Sequence, residues 1–269
     1  MRTLGLLFML TMAPGVHAYD AELYLQLSSH MVKVMAADAD GRMSSGSGVL
    51  IDDHHIVTNC HVVGRASHVI VARGSYGVPV SARTADTRHD LCVMNSATTM
   101  GNPAPLSASR ELKVGDTVRA VGFSGGRALS ISEGRVIALH EMDGAQVIET
   151  DAFFKQGASG GALFDEQNRV VGVLTFFVPG LQRNFAVPVE WVKKGLAEAR
   201  DIELPLQMAA APFWAAEDHD KPFFLRAIQL ENEGNWNGLR AVAREWADAE
   251  PDSRGAIEAA VKASRLPPR

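Results

Sequence analysis

The sequence predicts an all-β core, built as a sandwich or as closed barrels, followed by a helical C-terminal appendage. Three observations carry this. From Leu25 to about Val187, short runs rich in Val, Ile, Thr and Phe recur, with Gly, Asp or Ser clusters between several of them. No long stretch of helical periodicity interrupts those runs. After Pro188, apolar residues recur instead at the three-to-four spacing of helices.

The chain of 269 residues opens as a secretory leader does. Arg2 supplies a positive start, 4–12 form an apolar run too short to span a bilayer, and Val16-His17-Ala18 places small residues where a signal peptidase cuts. The expectation is a signal peptide over 1–18, cleavage after Ala18 and a periplasmic or secreted mature protein; the plainer reading is a buried N-terminal helix. No later apolar run reaches transmembrane length, so no membrane span is expected.

The predicted strands follow at 31–35, 48–51, 55–59, 68–72, 117–121, 130–138, 146–150 and 170–176. The stretch around 100–112, with Gly101, Pro103 and Pro105, reads as a connection between two β units, about 25–100 and 112–187. A helix is expected at 188–200, where Val189, Trp191, Val192 and Leu196 share a face and Pro188 suits a first turn. Residues 201–215 read as an Ala/Pro-containing linker, and 216–269 as a helical tail. In that tail Gly234-Asn235 breaks one apolar face from a second, marked by Trp236, Leu239, Val242 and Trp246, and Pro251 ends it. The pattern fits one degenerate tetratricopeptide unit or a helical hairpin packed on the β core, and either could dock a protein partner.

Composition narrows the function classes. Apolar content of 46% is that of a globular protein. A formal charge of −5 and the lack of a basic run interleaved with aromatics argue against a nucleic-acid partner. Asp52-Asp53-His54-His55 could be drawn as a metal site, but adjacent residues in a tight turn rarely converge on one ion, and no metal or cofactor is expected.

The chemistry is carried by three separated segments. The first runs Val57-Thr58-Asn59-Cys60-His61-Val62-Val63 after Gly46-Ser47-Gly48. The second is His89-Asp90-Leu91-Cys92-Val93-Met94, with His89 itself read as a loop residue. The third is Gly157-Ala158-Ser159-Gly160-Gly161, preceded by Thr150-Asp151-Ala152, whose Asp151 is read as structural. A serine between glycines on a tight turn can present its hydroxyl to a cleft, and a histidine and a carboxylate are what it needs to become a nucleophile. Seen alone, each residue is an ordinary turn or cap. Together, in the order His, Asp, Ser, they match a catalytic triad. If His61 and Asp90 meet in space, Cys60 and Cys92 are neighbours as well; an exported protein would bridge them, and the alternative is two buried thiols.

The chain resembles trypsin-like serine proteases of the HtrA/Deg branch. The likeness extends over roughly 25–200 and includes Leu112-Lys113-Val114-Gly115-Asp116, Val121-Gly122-Phe123 and Asn184-Phe185-Ala186-Val187-Pro188. It implies two antiparallel chymotrypsin-like β-barrels within a protease domain at 19–200, with His61 and Asp90 on the first and Ser159 on the second. It implies that Ser159 attacks a peptide carbonyl, His61 is the base, Asp90 orients it, and the N–H groups of Gly157 and Ser159 form the oxyanion hole. It places the base of the specificity pocket at Phe153 and its walls at Leu174, Thr175 and Phe176, hence an apolar cleavage preference, and it lays the substrate along 174–176. Ala158 stands where the branch usually has Asn and digestive relatives have Asp, so activation by a new N-terminal ammonium is not expected. Proteins of the branch commonly carry PDZ domains after the barrels, whereas 201–269 read as linker and helices. The implied activity is an endopeptidase acting on polypeptides; a low-turnover binding protein on the same fold, or an esterase, are the alternatives.

Overall fold

The computed structural model describes residues 21–178, 180–181, 183–197, 200–206 and 211–265. The expected signal peptide lies outside the described residues.

After a short helix, α1 (Ala21–Ser29), twelve strands form two closed six-stranded antiparallel barrels. The first contains β1 (Met31–Ala37), β2 (Met43–Leu50), β3 (His55–Thr58), β4 (His68–Arg73), β5 (Tyr76–Asp86) and β6 (Leu91–Ser96), in the spatial order β1-β2-β3-β6-β5-β4. The second contains β7 (Thr117–Gly122), β8 (Ser130–Met142), β9 (Ala145–Thr150), β10 (Ala162–Phe164), β11 (Val170–Val178) and β12 (Arg183–Pro188), ordered β10-β11-β12-β9-β8-β7. Closure removes the free sheet edges that twelve strands would otherwise expose. The sandwich alternative is thereby excluded. The eight runs predicted as strands leave out β5, β6, β10 and β12. Tyr76–Asp86 has few buried positions, and Ala162–Phe164 has only three residues.

Each barrel has its own core. Val32, Val34, Ile56, Val71 and Met94 fill the first, and Val118, Ile148, Leu163 and Leu174 fill the second. A third cluster joins the two barrels to the appendage, taking Val49 and Leu91 from one, Phe164 and Phe185 from the other, and Phe213, Phe224 and Trp246 from the C-terminal part. Burial of this continuous apolar surface is the main force holding the three parts as one body.

Helix α2 (Cys60–Val63) is one turn inserted between β3 and β4. Cys60 and Cys92 are joined by a disulfide that connects this turn to β6. It closes a loop of 32 positions, for which the chain-entropy treatment gives about 3–4 kcal/mol of stabilisation. Replacing both cysteines by alanine is therefore expected to lower the unfolding free energy by that amount in denaturant melts. A loss below about 1 kcal/mol would contradict the assignment.

Helix α3 (Val189–Ala197) lies under both barrels, and its Glu190 accepts hydrogen bonds from the Ser109 N–H (2.7 Å) and hydroxyl (2.8 Å). The segment read as a linker is pinned to the first barrel rather than free. Ile202 N–H donates to Ala82 O at 3.0 Å, and Leu206 N–H to Gly64 O at 3.0 Å. The chain then reaches a 3-10 turn, Phe213–Ala215, and three helices: α4 (Phe223–Asn232), α5 (Trp236–Ala249) and α6 (Arg254–Arg265). Asn235 caps α5 by accepting from Gly238 N–H at 2.9 Å, which is why the Gly234-Asn235 pair breaks the helical run. Helix α4 packs on the second barrel through Phe224, stacked on His140 at 4.3 Å, and through the Arg183–Glu231 ion pair at 3.5 Å.

Candidate active site

His61 and Asp90 are brought into contact by elements that start far apart in the chain. The α2 turn aims His61 away from the first barrel, and Asp90 stands just before β6 with a left-handed φ of 59°. That conformation is tolerated by Asp better than by most residues, and here it turns the carboxylate toward His61. The His61 backbone N–H donates to Asp90 Oδ1 at 2.8 Å, and Nδ1 lies 2.6 Å from Oδ2. An ionised carboxylate only accepts, so Nδ1 carries the proton and Nε2 keeps a free lone pair. Asp90 is fully buried, and its main-chain carbonyl accepts from Cys60 N–H (3.3 Å) and from the Asn59 amide (2.9 Å). Asn59 also donates to Thr175 Oγ1 at 3.1 Å, linking this corner to β11 of the other barrel.

Ser159 comes from the second barrel, on a loop docked against the first. Ala158 N–H donates to Lys155 O at 3.0 Å, closing a turn with Gly157 at a φ of 95°. A side chain at Gly157 would meet Phe123 O at 2.5 Å, so both the backbone angle and the space demand glycine. Ser47 is the docking residue. Its N–H donates to Ser159 O (2.8 Å) and its hydroxyl to Gly157 O (2.8 Å). A Cβ on Gly160 would collide with Ser47 O and the Thr58 hydroxyl. A Cβ on Gly46 would lie 2.8 Å from Val62 and 2.9 Å from Ser159 O, so the serine loop and the His61 turn flank one glycine. The half-buried Ser159 makes no side-chain hydrogen bond among the described residues, and the N–H groups of Gly157 and Ser159 have no protein acceptor there. Two N–H groups without a protein acceptor beside a serine hydroxyl are what an oxyanion hole would require.

Ala158 is fully buried in the second barrel's core, against Gly122. Its methyl group thus anchors the loop by packing, where a polar side chain would need a partner. Asp151 accepts from Arg135 N–H at 2.6 Å and ties β8 to the strand end before the loop.

The specificity pocket needs correction. Phe153, placed at the floor, is 60% exposed, while its neighbours Ala152 and Phe154 are buried. These residues lie beyond the end of β9, and the side chain of Phe153 faces solvent between two buried ones. Leu174 is a core residue of the second barrel, and its N–H and C=O are spent on Gly161 O (2.8 Å) and Gly160 N–H (2.9 Å). The edge expected at 174–176 is therefore already paired at its first residue, and β11 runs on to Val178, whose C=O accepts from Leu181 N–H at 3.2 Å. There a pocket of about 290 Å³ is lined by Phe176, Phe177, Val178, Trp214, Lys221 and Leu225. Thr175 points toward Asn59, and Phe176 stacks on Phe185 at 4.6 Å.

Two residues at this site escaped sequence reading. His89 lies in the β5–β6 turn, as expected of a loop residue, and is a half-buried clamp between the barrels. Nδ1 meets Asp86 Oδ2 at 2.6 Å, Nε2 meets Asp143 Oδ2 at 2.9 Å, and the ring stacks on Trp191 at 3.8 Å. Burial opposes its charge, but the hydrogen bonds and charges of Asp86 and Asp143 outweigh it and raise the imidazole above its ordinary 6.5. Both carboxyls fall below 3.8, burial again being overcome by their bonds to His89 and by the charge of Arg88. A raised histidine stabilises fully below its unfolded value, and that gain vanishes as pH rises through the folded one; the lowered carboxylates stabilise above 3.8 and lose it toward acid. His89→Gln is thus expected to lower Tm by about 2–6 °C at pH 5–6, with the gap narrowing above neutrality. A gap that widens with pH would reverse the assignment. The second residue is Trp214, whose indole N–H reaches Asp90 Oδ2 at 3.2 Å. The Asp-x-x-His spacing of Asp86 and His89 was a signal for the first; nothing local to 214 signals the second.

Known proteins resemble this chain over the same region. Residues 46–173 match the trypsin-like peptidase domain family. The serine endoprotease DegS of Haemophilus influenzae is 30% identical over 161 residues, covering 54% of this chain and 47% of that protein. The periplasmic serine endoprotease DegP of Salmonella typhimurium is 34% identical over 170 residues, covering 56% and 34%. Thus the chain spans half or less of the length of these curated relatives. Among solved structures, the active form of the Rv3671c protease from M. tuberculosis superposes with a TM-score of 0.62 at 21% identity, covering 74% of this chain and 96% of that one. The HtrA-type protease AlgW with a tripeptide gives 0.60 at 24% identity, covering 65% and 61%. At those identities the structures speak for the fold.

Proposed function

We propose, from the match of residues 46–173 to the trypsin-like peptidase domain family, that this chain is an exported serine endopeptidase working through Ser159, His61 and Asp90. The carrying observation is the buried Asp90 carboxylate holding His61 by two hydrogen bonds, beside a serine loop with two unspent N–H groups.

The chemistry follows from the atoms. Ser159 Oγ attacks the carbonyl carbon of the scissile bond as His61 Nε2 takes its proton. The developing oxyanion is received by Gly157 and Ser159 N–H. Collapse expels the amine, which takes the proton from His61 and leaves an acyl ester on Ser159. A water molecule, deprotonated by His61, hydrolyses the ester and restores the serine. Asp90 keeps the proton on Nδ1 throughout and stabilises the imidazolium. None of these steps calls for a metal or cofactor.

An extended polypeptide pairing with 176–178 is the proposed substrate mode. The pocket beside Phe176, Phe177, Val178, Trp214 and Leu225 contains no carboxylate to pair with Lys or Arg, which supports an apolar residue before the cleaved bond. Export is supported by the Cys60–Cys92 bridge, by the leader-like residues 1–18 and by the periplasmic relative.

The test uses a serine-directed phosphonate probe and casein, with Ser159→Ala as control. The proposal expects labelling and proteolysis by the wild type and neither by the variant. Labelling without proteolysis would point to an esterase or a binding protein, and no labelling would overturn the nucleophile.

A further inference from the structure

We propose that Trp214, delivered by the C-terminal segment, is a positioning residue for the Asp90–His61 pair, so that the appendage completes the active site. The inference rests on the endopeptidase reading and deepens it.

Asp90 is fully buried and its carboxylate must find its donors within the protein. The first barrel supplies two, the N–H and Nδ1–H of His61. The second barrel offers a hydroxyl nearby on Thr175, but that group donates to Val173 O at 2.8 Å and accepts from Asn59 at 3.1 Å. The further donor to the carboxylate is the Trp214 indole N–H, on the same Oδ2 that His61 Nδ1 uses.

The indole is held on several sides. It stacks on Phe176 at 5.4 Å and 12°, and Phe176 stacks in turn on Phe185. Its neighbour Phe213 is buried, donates its N–H to Arg88 O at 3.0 Å, and meets Phe176 and Trp191 edge-on. Ile202 and Leu206 anchor the incoming chain to the first barrel. The ring also meets His61 edge-on, with centroids 5.6 Å apart at 80°. Trp214 thus does two things to the pair. Its N–H fixes the rotation of the carboxylate, and its ring limits the swing of the imidazole that must face Ser159. A donor positioned in advance costs nothing when charge develops on His61 during reaction.

The experiment separates the N–H from the ring. Trp214→Phe keeps the aromatic stack and removes only the donor, whereas Trp214→Ala removes both. In the wild-type background that labels with phosphonate, Trp214→Phe should lower kcat and the labelling rate about 10-fold with KM within twofold. The His61 Nδ1–H proton resonance should broaden through faster exchange with water. Trp214→Ala should lose about 100-fold. An unchanged kcat and an unchanged Nδ1–H resonance in Trp214→Phe would overturn the proposal. So would a gain of activity in Trp214→Ala, which would make the segment a block on the cleft. Should the wild type neither label nor cleave, the endopeptidase reading fails by itself, and the Nδ1–H resonance of wild type against Trp214→Phe still decides the role of Trp214.

Discussion

Ser159→Ala is expected to lose on the order of 10⁶-fold in kcat and all phosphonate labelling while keeping its stability within about 0.5 kcal/mol. The two halves of that expectation have separate causes. The Ser159 hydroxyl makes no hydrogen bond among the described residues, so deleting it leaves no buried group unpaired. The loop itself is docked by backbone and by glycine: Ser47 N–H on Ser159 O, the Ser47 hydroxyl on Gly157 O, and the tight approach of Gly160 to Ser47 and Thr58. Side-by-side thermal melts and active-site labelling measure both. A variant that still labels would move the nucleophile elsewhere, and one that melts several degrees lower would give Ser159 a structural role that its surroundings do not support.

Asp90→Asn is expected to cost about 10⁴-fold in kcat, with a much smaller change in KM. Asparagine tolerates the left-handed φ of 59°, so the backbone can keep its path. The carboxamide, however, cannot accept from every donor aimed at it. His61 N–H points at Oδ1, and His61 Nδ1 and Trp214 Nε1 point at Oδ2. With oxygen kept toward the His61 N–H, the NH₂ group faces Nδ1 and drives the histidine proton to Nε2, the wrong nitrogen for a base. It also faces the indole N–H, donor against donor, a conflict worth about 1–3 kcal/mol of stability. Rotating the carboxamide exchanges this conflict for another at the His61 main chain. Steady-state kinetics with denaturant melts check the pair of effects; activity above a tenth of wild type would mean that Asp90 does not set the tautomer.

Much of this site could be read in advance because its parts are local. His61 follows a strand that ends at Thr58, Asp90 opens the run Leu91-Cys92-Val93-Met94, and Ser159 lies between Gly157 and Gly160, which positive φ and close contacts require. The placement of Cys60 beside His61 and Cys92 beside Asp90 tied the bridge to the same geometry, and the structure closes it. What misled was single-residue facing. Phe153 faces solvent beyond the end of β9, and Leu174 belongs to the second barrel's core.

By itself, then, the sequence determined the strand-rich core, the helical end and the three chemical segments, because each is written in residues close together along the chain. Tertiary structure decided which distant groups complete them. The closing of two barrels brings His89 between Asp86 and Asp143, and the returning C-terminal segment sets Trp214 on Asp90. The His89–Asp143 and Trp214–Asp90 contacts join residues 54 and 124 positions apart, and they depend on how packed elements meet, which no local periodicity or spacing encodes.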